Sequence, residues 1–99
     1  MSARIPVDRG KIADFCRRHH IRKFALFGSV LKDDFRPDSD VDVLVIFEPS
    51  HTPGLSFFSM AEELAKILGR NVDLQTPQFL SRYFRDQVLA EAEVQYVES

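Results

Sequence analysis

The stretch FALFGSVLKDDFRPDSDVDVLVIF, residues 24–47, decides the fold. With Lys23 in front of it, the segment 23–27 reads as a short strand, and Gly28 ends it. Residues 29–33 predict a helical turn. Residues 35–39 predict a loop, because Pro37, Asp38 and Ser39 are turn formers. Residues 41–47, Val-Asp-Val-Leu-Val-Ile-Phe, form the clearest strand of the chain, rich in β-branched side chains. Asp42 lies inside that apolar run. A carboxylate in a strand that reads as buried needs a charge to face, since desolvating it alone is costly.

Working outward, Asp8 is the expected N-cap of a helix over residues 11–18, with apolar spacing at Ile12, Phe15 and Cys16. Residues 48–54 hold two prolines and a glycine and predict a loop. Residues 55–68 carry apolar side chains at 57, 58, 61, 64, 65, 67 and 68, which predicts an amphipathic helix stopped by Gly69. Residues 71–75 predict a short strand. Thr76-Pro77 or Ser81 then caps a last helix expected to reach about Tyr96. This order, αβ(α)βαβα, predicts the α/β class: a small mixed β-sheet flanked by helices. A helix joins the second and third strands, so they should be parallel with a right-handed crossover. The short excursion between the first and second strands favours an antiparallel pair. Together these connections gather Gly28, Ser29, Asp40, Asp42 and Asp73 at one edge of the sheet.

Length and composition bound the rest. A chain of 99 residues fits one domain, 1–99, with one modest core. Hydrophobic residues make up 44% and charged residues 28%, ordinary for a globular protein. A net charge of -2 advertises neither direct nucleic-acid binding nor an anionic membrane. The single cysteine, Cys16, cannot form an internal disulfide, which suits a reducing cytosol. The segment MSARIPVDRGK has no apolar core of a signal peptide, and no apolar run approaches membrane-spanning length. A cytoplasmic protein with no membrane partner is the expectation.

Asp40 and Asp42 are two apart on a strand and share a face, with Cα atoms about 7 Å apart. Two such carboxylates repel unless a cation lies between them. Mg²⁺ prefers hard oxygen ligands and keeps positions open for water and phosphates. A pair of metal ions about 3.5–4 Å apart could share a carboxylate such as Asp42. Gly28 lets the backbone turn tightly and a ligand approach closely. Ser29 then supplies a hydroxyl and an N–H group at the start of a turn whose amides can cradle phosphate. Metal carboxylates beside a phosphate cradle make a constellation for nucleotidyl transfer.

The frame Gly28-Ser29, ten residues, then Asp40-x-Asp42 resembles the signature of the polymerase-β-like nucleotidyltransferase superfamily. The wider stretches GSVLKDDFRPDSDVDVLV and RNVDLQTPQFLSRYFRDQVLAEA are similar to the minimal nucleotidyltransferases, the MNT domain family, from about Phe24 to Tyr96. The resemblance implies a single polymerase-β-like nucleotidyltransferase domain. It implies that Gly28, Ser29 and Lys32 bind the nucleotide, and that Asp40, Asp42 and Asp73 are the catalytic, metal-holding carboxylates. It implies Mg²⁺ as cofactor and ATP as substrate. Many members are antitoxins paired with a helical HEPN-domain ribonuclease, understood to silence that toxin by moving AMP from ATP to one of its tyrosine hydroxyls. The alternative implied function is an antitoxin that blocks the toxin sterically, without catalysis. Where the family often reads Gly-Ser-x-Ala-Arg-Gly, this chain has Leu31, Lys32 and Asp33. Lys32 keeps a charge without the bidentate fork of arginine, and Asp33 adds negative charge near an expected anion.

Blander readings apply elsewhere. A lone Asp-x-Asp is usually a pair of solvated turn residues, and Asp73 alone could be an ordinary strand-end residue. His19-His20 point about 100° apart on a helix and chelate poorly, so a solvated helix end is expected. Arg17-Arg18 with Arg22-Lys23 reads as a wet basic face, with contact to RNA or an acidic partner as the functional alternative. Cys16 is expected in the core, as chiefly are Phe57, Phe58, Tyr83 and Phe84. Nine phenylalanines in so short a chain also suggest that some line a partner surface.

Overall fold

The Asp8 side chain accepts a hydrogen bond from the Lys11 N–H at 3.1 Å and starts α1, Arg9–Arg18. This satisfies one of the N–H groups that every helix start leaves without a partner. A computed structural model describes residues 7–31, 40–51 and 53–98. Lys32, Asp33 and the loop expected over 35–39 lie outside the described residues, and the side chains of Ser29, Phe79 and Phe84 are likewise not described.

After α1 come β1, Ile21–Phe27, a 3₁₀ turn over Gly28–Leu31, and β2, Val41–Phe47. Then follow α2, Ser56–Leu68, and β3, Val72–Gln75. A second 3₁₀ turn over Pro77–Phe79, α3, Arg82–Glu91, and β4, Glu93–Val97, complete the order. The sheet runs β3-β2-β1-β4. As the connections required, β1 and β2 are antiparallel and β2 and β3 are parallel. Gly69 ends α2 with φ 70°, the left-handed conformation expected of a glycine stop. Ser81, not Thr76, caps the last α-helix through its side chain, which accepts from the Tyr83 N–H.

One expectation fails at this end of the chain. The last helix does not reach Tyr96. It stops at Glu91, and Ala92 turns extended with φ -61° and ψ 137°. The residues beyond it pair with β1 as a fourth strand. No glycine or proline marks this boundary, and the strand's polar-apolar alternation runs straight on from the helix. Tertiary pairing with β1, which local spacing does not reveal, decides the outcome.

Ile12, Phe15 and Cys16 from α1, Phe24 and Leu26 from β1, and Val41, Val43 and Val45 from β2 form the core with Met60 and Leu64 of α2. Full burial of each large apolar side chain contributes about 1.5–3 kcal/mol before conformational entropy is charged against it. Cys16 belongs to this core as expected, and burial pushes its thiol up to about 12, so it stays protonated at neutral pH. Phe57 packs against the same cluster, but Phe58 and Tyr83 are exposed, against expectation. Their places on the helix faces, not their apolarity, determine that. Among the described residues, no helix is long and apolar enough to cross a membrane.

The end of α1 is more than a solvated tip. Arg18 donates to Asp14 at 2.9 Å and to Glu63 of α2, and His19 Nε2 lies 3.0 Å from the other Glu63 oxygen. The Arg18 guanidinium, with His19 as the smaller influence, holds the Glu63 carboxyl below its ordinary value against the opposing effect of partial burial. A carboxyl depressed in this way stabilises the fold above its unfolded pKa. It loses that contribution as pH falls through the folded value. Glu63→Gln should therefore melt a few degrees below wild type at neutral pH. Calorimetry should show the two proteins converging once the pH is well below about 4. A gap that persists in acid would assign the contribution of Glu63 to packing instead of charge.

Candidate active site

Side chains alternate along β2. Val41, Val43 and Val45 enter the core, and Asp42 points to the opposite face. Asp42 is half-buried there and not sealed inside. On one side its register partner is Phe27 of β1; on the other it is Asp73 of β3. Register partners share a face, so Phe27, Asp42 and Asp73 form one row across three strands. Adjacent strands lie about 4.8 Å apart, which puts the two carboxylate-bearing positions side by side. Asp40 is exposed at the mouth of β2, two residues before Asp42.

Gly28 follows Phe27 and is needed twice over. Its φ of 74° is the left-handed region that side chains disfavour. A Cβ built there would run into Asp42 Oδ2, with Asp42 Cγ at 3.1 Å and Cβ at 3.3 Å. The backbone thus touches the carboxylate face to face, which only a glycine permits. Ser29 sits in the turn that starts at Gly28, and Val30 and Leu31 are buried beneath it. These two apolar anchors fix the turn against the sheet. Gly28, Asp40, Asp42 and Asp73 therefore lie at one edge of the sheet, with the Ser29 backbone in the adjoining turn, as the topology predicted.

Sequence reasoning missed Gln75. Its Nε2 donates to Asp73 Oδ1 at 2.7 Å. The available signal was the spacing, since residues two apart on a strand share a face. Gln75 also borders a cleft of about 780 Å³ with Phe47, Pro53, Phe57, Leu74 and Pro77. The exposed Phe58 lies on the same cleft.

The donor chemistry of this edge suits a hard divalent cation, because the site residues offer carboxylate oxygens. Among the described residues, no three His, Cys, Asp or Glu side chains are grouped closely enough to hold a metal by themselves. That is compatible with Mg²⁺, which is usually held by one or two carboxylates together with substrate phosphates and water.

Neither histidine is merely solvated, against the expectation of a wet helix end. His19 pairs with Glu63, and His20, at φ 58°, stacks on His51 at 3.9 Å with Nδ1 3.3 Å from Glu48.

Comparison with known proteins identifies the family and the fold. The family model described as "Nucleotidyltransferase domain" matches residues 9–95. Protein adenylyltransferase MntA of Thermococcus cleftensis is 37% identical over 75 residues, 75% of this chain and 74% of the relative. A crystal structure described as a toxin-antitoxin with AMP-PNP superposes with a TM-score of 0.74 at 22% identity, covering 94% of this chain and 76% of that one. A second structure, described as a tri-AMPylated Shewanella oneidensis HEPN toxin in complex with MNT antitoxin, gives a TM-score of 0.65 at 23% identity, over 90% and 69% of the two chains. The fold is shared with both structures; the sequence kinship rests on the family match and the adenylyltransferase relative. The chain belongs to the nucleotidyltransferase domain family, as a minimal nucleotidyltransferase of the polymerase-β-like kind.

Proposed function

We propose that this chain is a cytoplasmic antitoxin that transfers AMP from ATP to a tyrosine hydroxyl of a HEPN-domain toxin and so neutralises it. The observation that carries the reading is the pair Asp42–Asp73 with Gly28 beside it: two register-paired carboxylates on one sheet face, with a left-handed glycine packed against one of them. Asp40, Asp42 and Asp73 would hold Mg²⁺, which when bound neutralises triphosphate charge and polarises the α-phosphorus. The amides of the Gly28–Leu31 turn, the Ser29 hydroxyl and the Lys32 ammonium are assigned to the phosphates. Asp73, exposed on β3, would either take the proton of the acceptor hydroxyl or help hold the metal that lowers the pKa of that hydroxyl. That oxygen forms a bond to the α-phosphorus as the bond to the bridging oxygen breaks, and pyrophosphate leaves.

The likeness to a named protein adenylyltransferase supports a protein acceptor, and the exposed Leu55 and Phe58 give such a partner apolar surface to cover. In-line attack needs the hydroxyl within about 3–3.5 Å of phosphorus, which a specific complex enforces and free tyrosine does not.

Incubation with the cognate toxin, Mg²⁺ and ATP should add AMP to the toxin and hardly at all to unrelated proteins, as intact-mass measurement will show. Changing the acceptor tyrosine to phenylalanine should abolish the adduct and restore toxin activity. Equal silencing with and without ATP would decide for the steric alternative.

A further inference from the structure

We propose that Gln75 is a positioning residue for Asp73: its side-chain amide fixes one carboxylate oxygen so that the other is presented to the reacting groups. The inference rests on the transfer reading given above. Asp73 is exposed on β3, which among the described residues has β2 alone as its neighbour in the sheet. Packing therefore does little to select its rotamer, and an unrestrained carboxylate would sweep through several orientations. Gln75 supplies the missing restraint. It lies two residues on, on the same face, and its Nε2 donates to Asp73 Oδ1 at 2.7 Å, the short distance expected of a bond to an ionised acceptor. Leu44 is the register partner of Gln75 and is buried, so the stem of Gln75 stands beside a packed neighbour.

The chemistry of the donor matters as much as its place. A lysine or arginine in this position would orient Asp73 but would also neutralise it, and would compete with a cation for the same oxygens. A neutral amide orients the carboxylate and leaves its charge available. Its hydrogen bond occupies Oδ1, which leaves Oδ2 as the oxygen free to receive a proton or a metal ion. Because Gln75 also borders the cleft formed with Phe47, Phe57 and Leu74, a group entering that cleft lies next to the amide that orients the carboxylate.

Two measurements on the full chain test this. In ¹⁵N-labelled protein, the side-chain amide pair of Gln75, assigned by its loss in Gln75→Met, should shift clearly when Asp73 becomes asparagine. An unmoved pair overturns the proposal whether or not the protein transfers nucleotide. In the transfer assay, Gln75→Met, which keeps length and bulk but has no donor, should lower kcat about tenfold with KM for ATP and Tm unchanged. Combined with Asp73→Asn it should cost nothing more than Asp73→Asn alone. Full kcat in Gln75→Met, or additive losses in the double variant, would overturn the positioning role. If Asp73→Asn itself retains full activity while the amide pair still shifts, the role of Asp73 in transfer falls and the contact stands.

Discussion

Asp42→Asn should fold, and its transfer of AMP should fall by a factor on the order of a thousand. Asparagine keeps the shape of the side chain and removes the charge that a cation and a triphosphate require. The loss should appear in kcat at saturating ATP and deepen as Mg²⁺ becomes limiting. Asp42 and Asp73 are paired in register, so removing one of the two negative charges relieves the repulsion between them, which offsets part of whatever polar contact asparagine loses. Near-normal transfer at limiting Mg²⁺ would remove Asp42 from the metal site. A sharp drop in melting temperature in metal-free buffer would instead make Asp42 a structural residue.

The second large effect belongs to Gly28→Ala, which should injure both fold and activity. At φ 74° an alanine costs about 1–2 kcal/mol from its backbone alone. The added methyl also meets the Asp42 carboxylate and must push it off the row shared with Asp73. Together these should lower the melting temperature by about 5–15 °C, since each kcal/mol shifts a domain of this size by several degrees. Transfer should drop nearly as far as in Asp42→Asn. The two parts can be separated: in an Asp42→Ala background the carboxylate collision is gone and only the 3.3 Å contact with Cβ remains, so Gly28→Ala should cost measurably less there. Equal losses in both backgrounds would mean that the collision carries no energy.

Gly28-Ser29 and Asp40-x-Asp42 were legible in the sequence because their signals are local: a glycine closing one apolar segment and carboxylates opening the next. Asp73 needed one inference more. Only the helix between residues 47 and 72 forces β3 parallel to β2, and only that register brings Asp73 beside Asp42. What escaped the sequence depended on tertiary partners. Residues 93–97 join β1 across the length of the chain, and no turn residue announces it. Phe58 and Tyr83 look like core by composition, yet their exposure follows from the rotation of α2 and α3 against the sheet. The tie between Gln75 and Asp73 is a side-chain choice, and spacing permits it without requiring it.

The seating of β4 on β1 has a consequence for how the molecule assembles. Lys23 pairs with Val97, so the sheet is completed by joining segments more than about 70 residues apart. Closing so long a loop is entropically expensive, and contacts of this separation form slowly. Until they do, one side of β1 presents unpaired amides and carbonyls flanked by Phe24 and Leu26. Such a side is a template for any passing strand, whether of another nascent copy or of an aggregate. The fate of the newly made chain is thus set by a race between β4 and a stranger for the same row of hydrogen bonds.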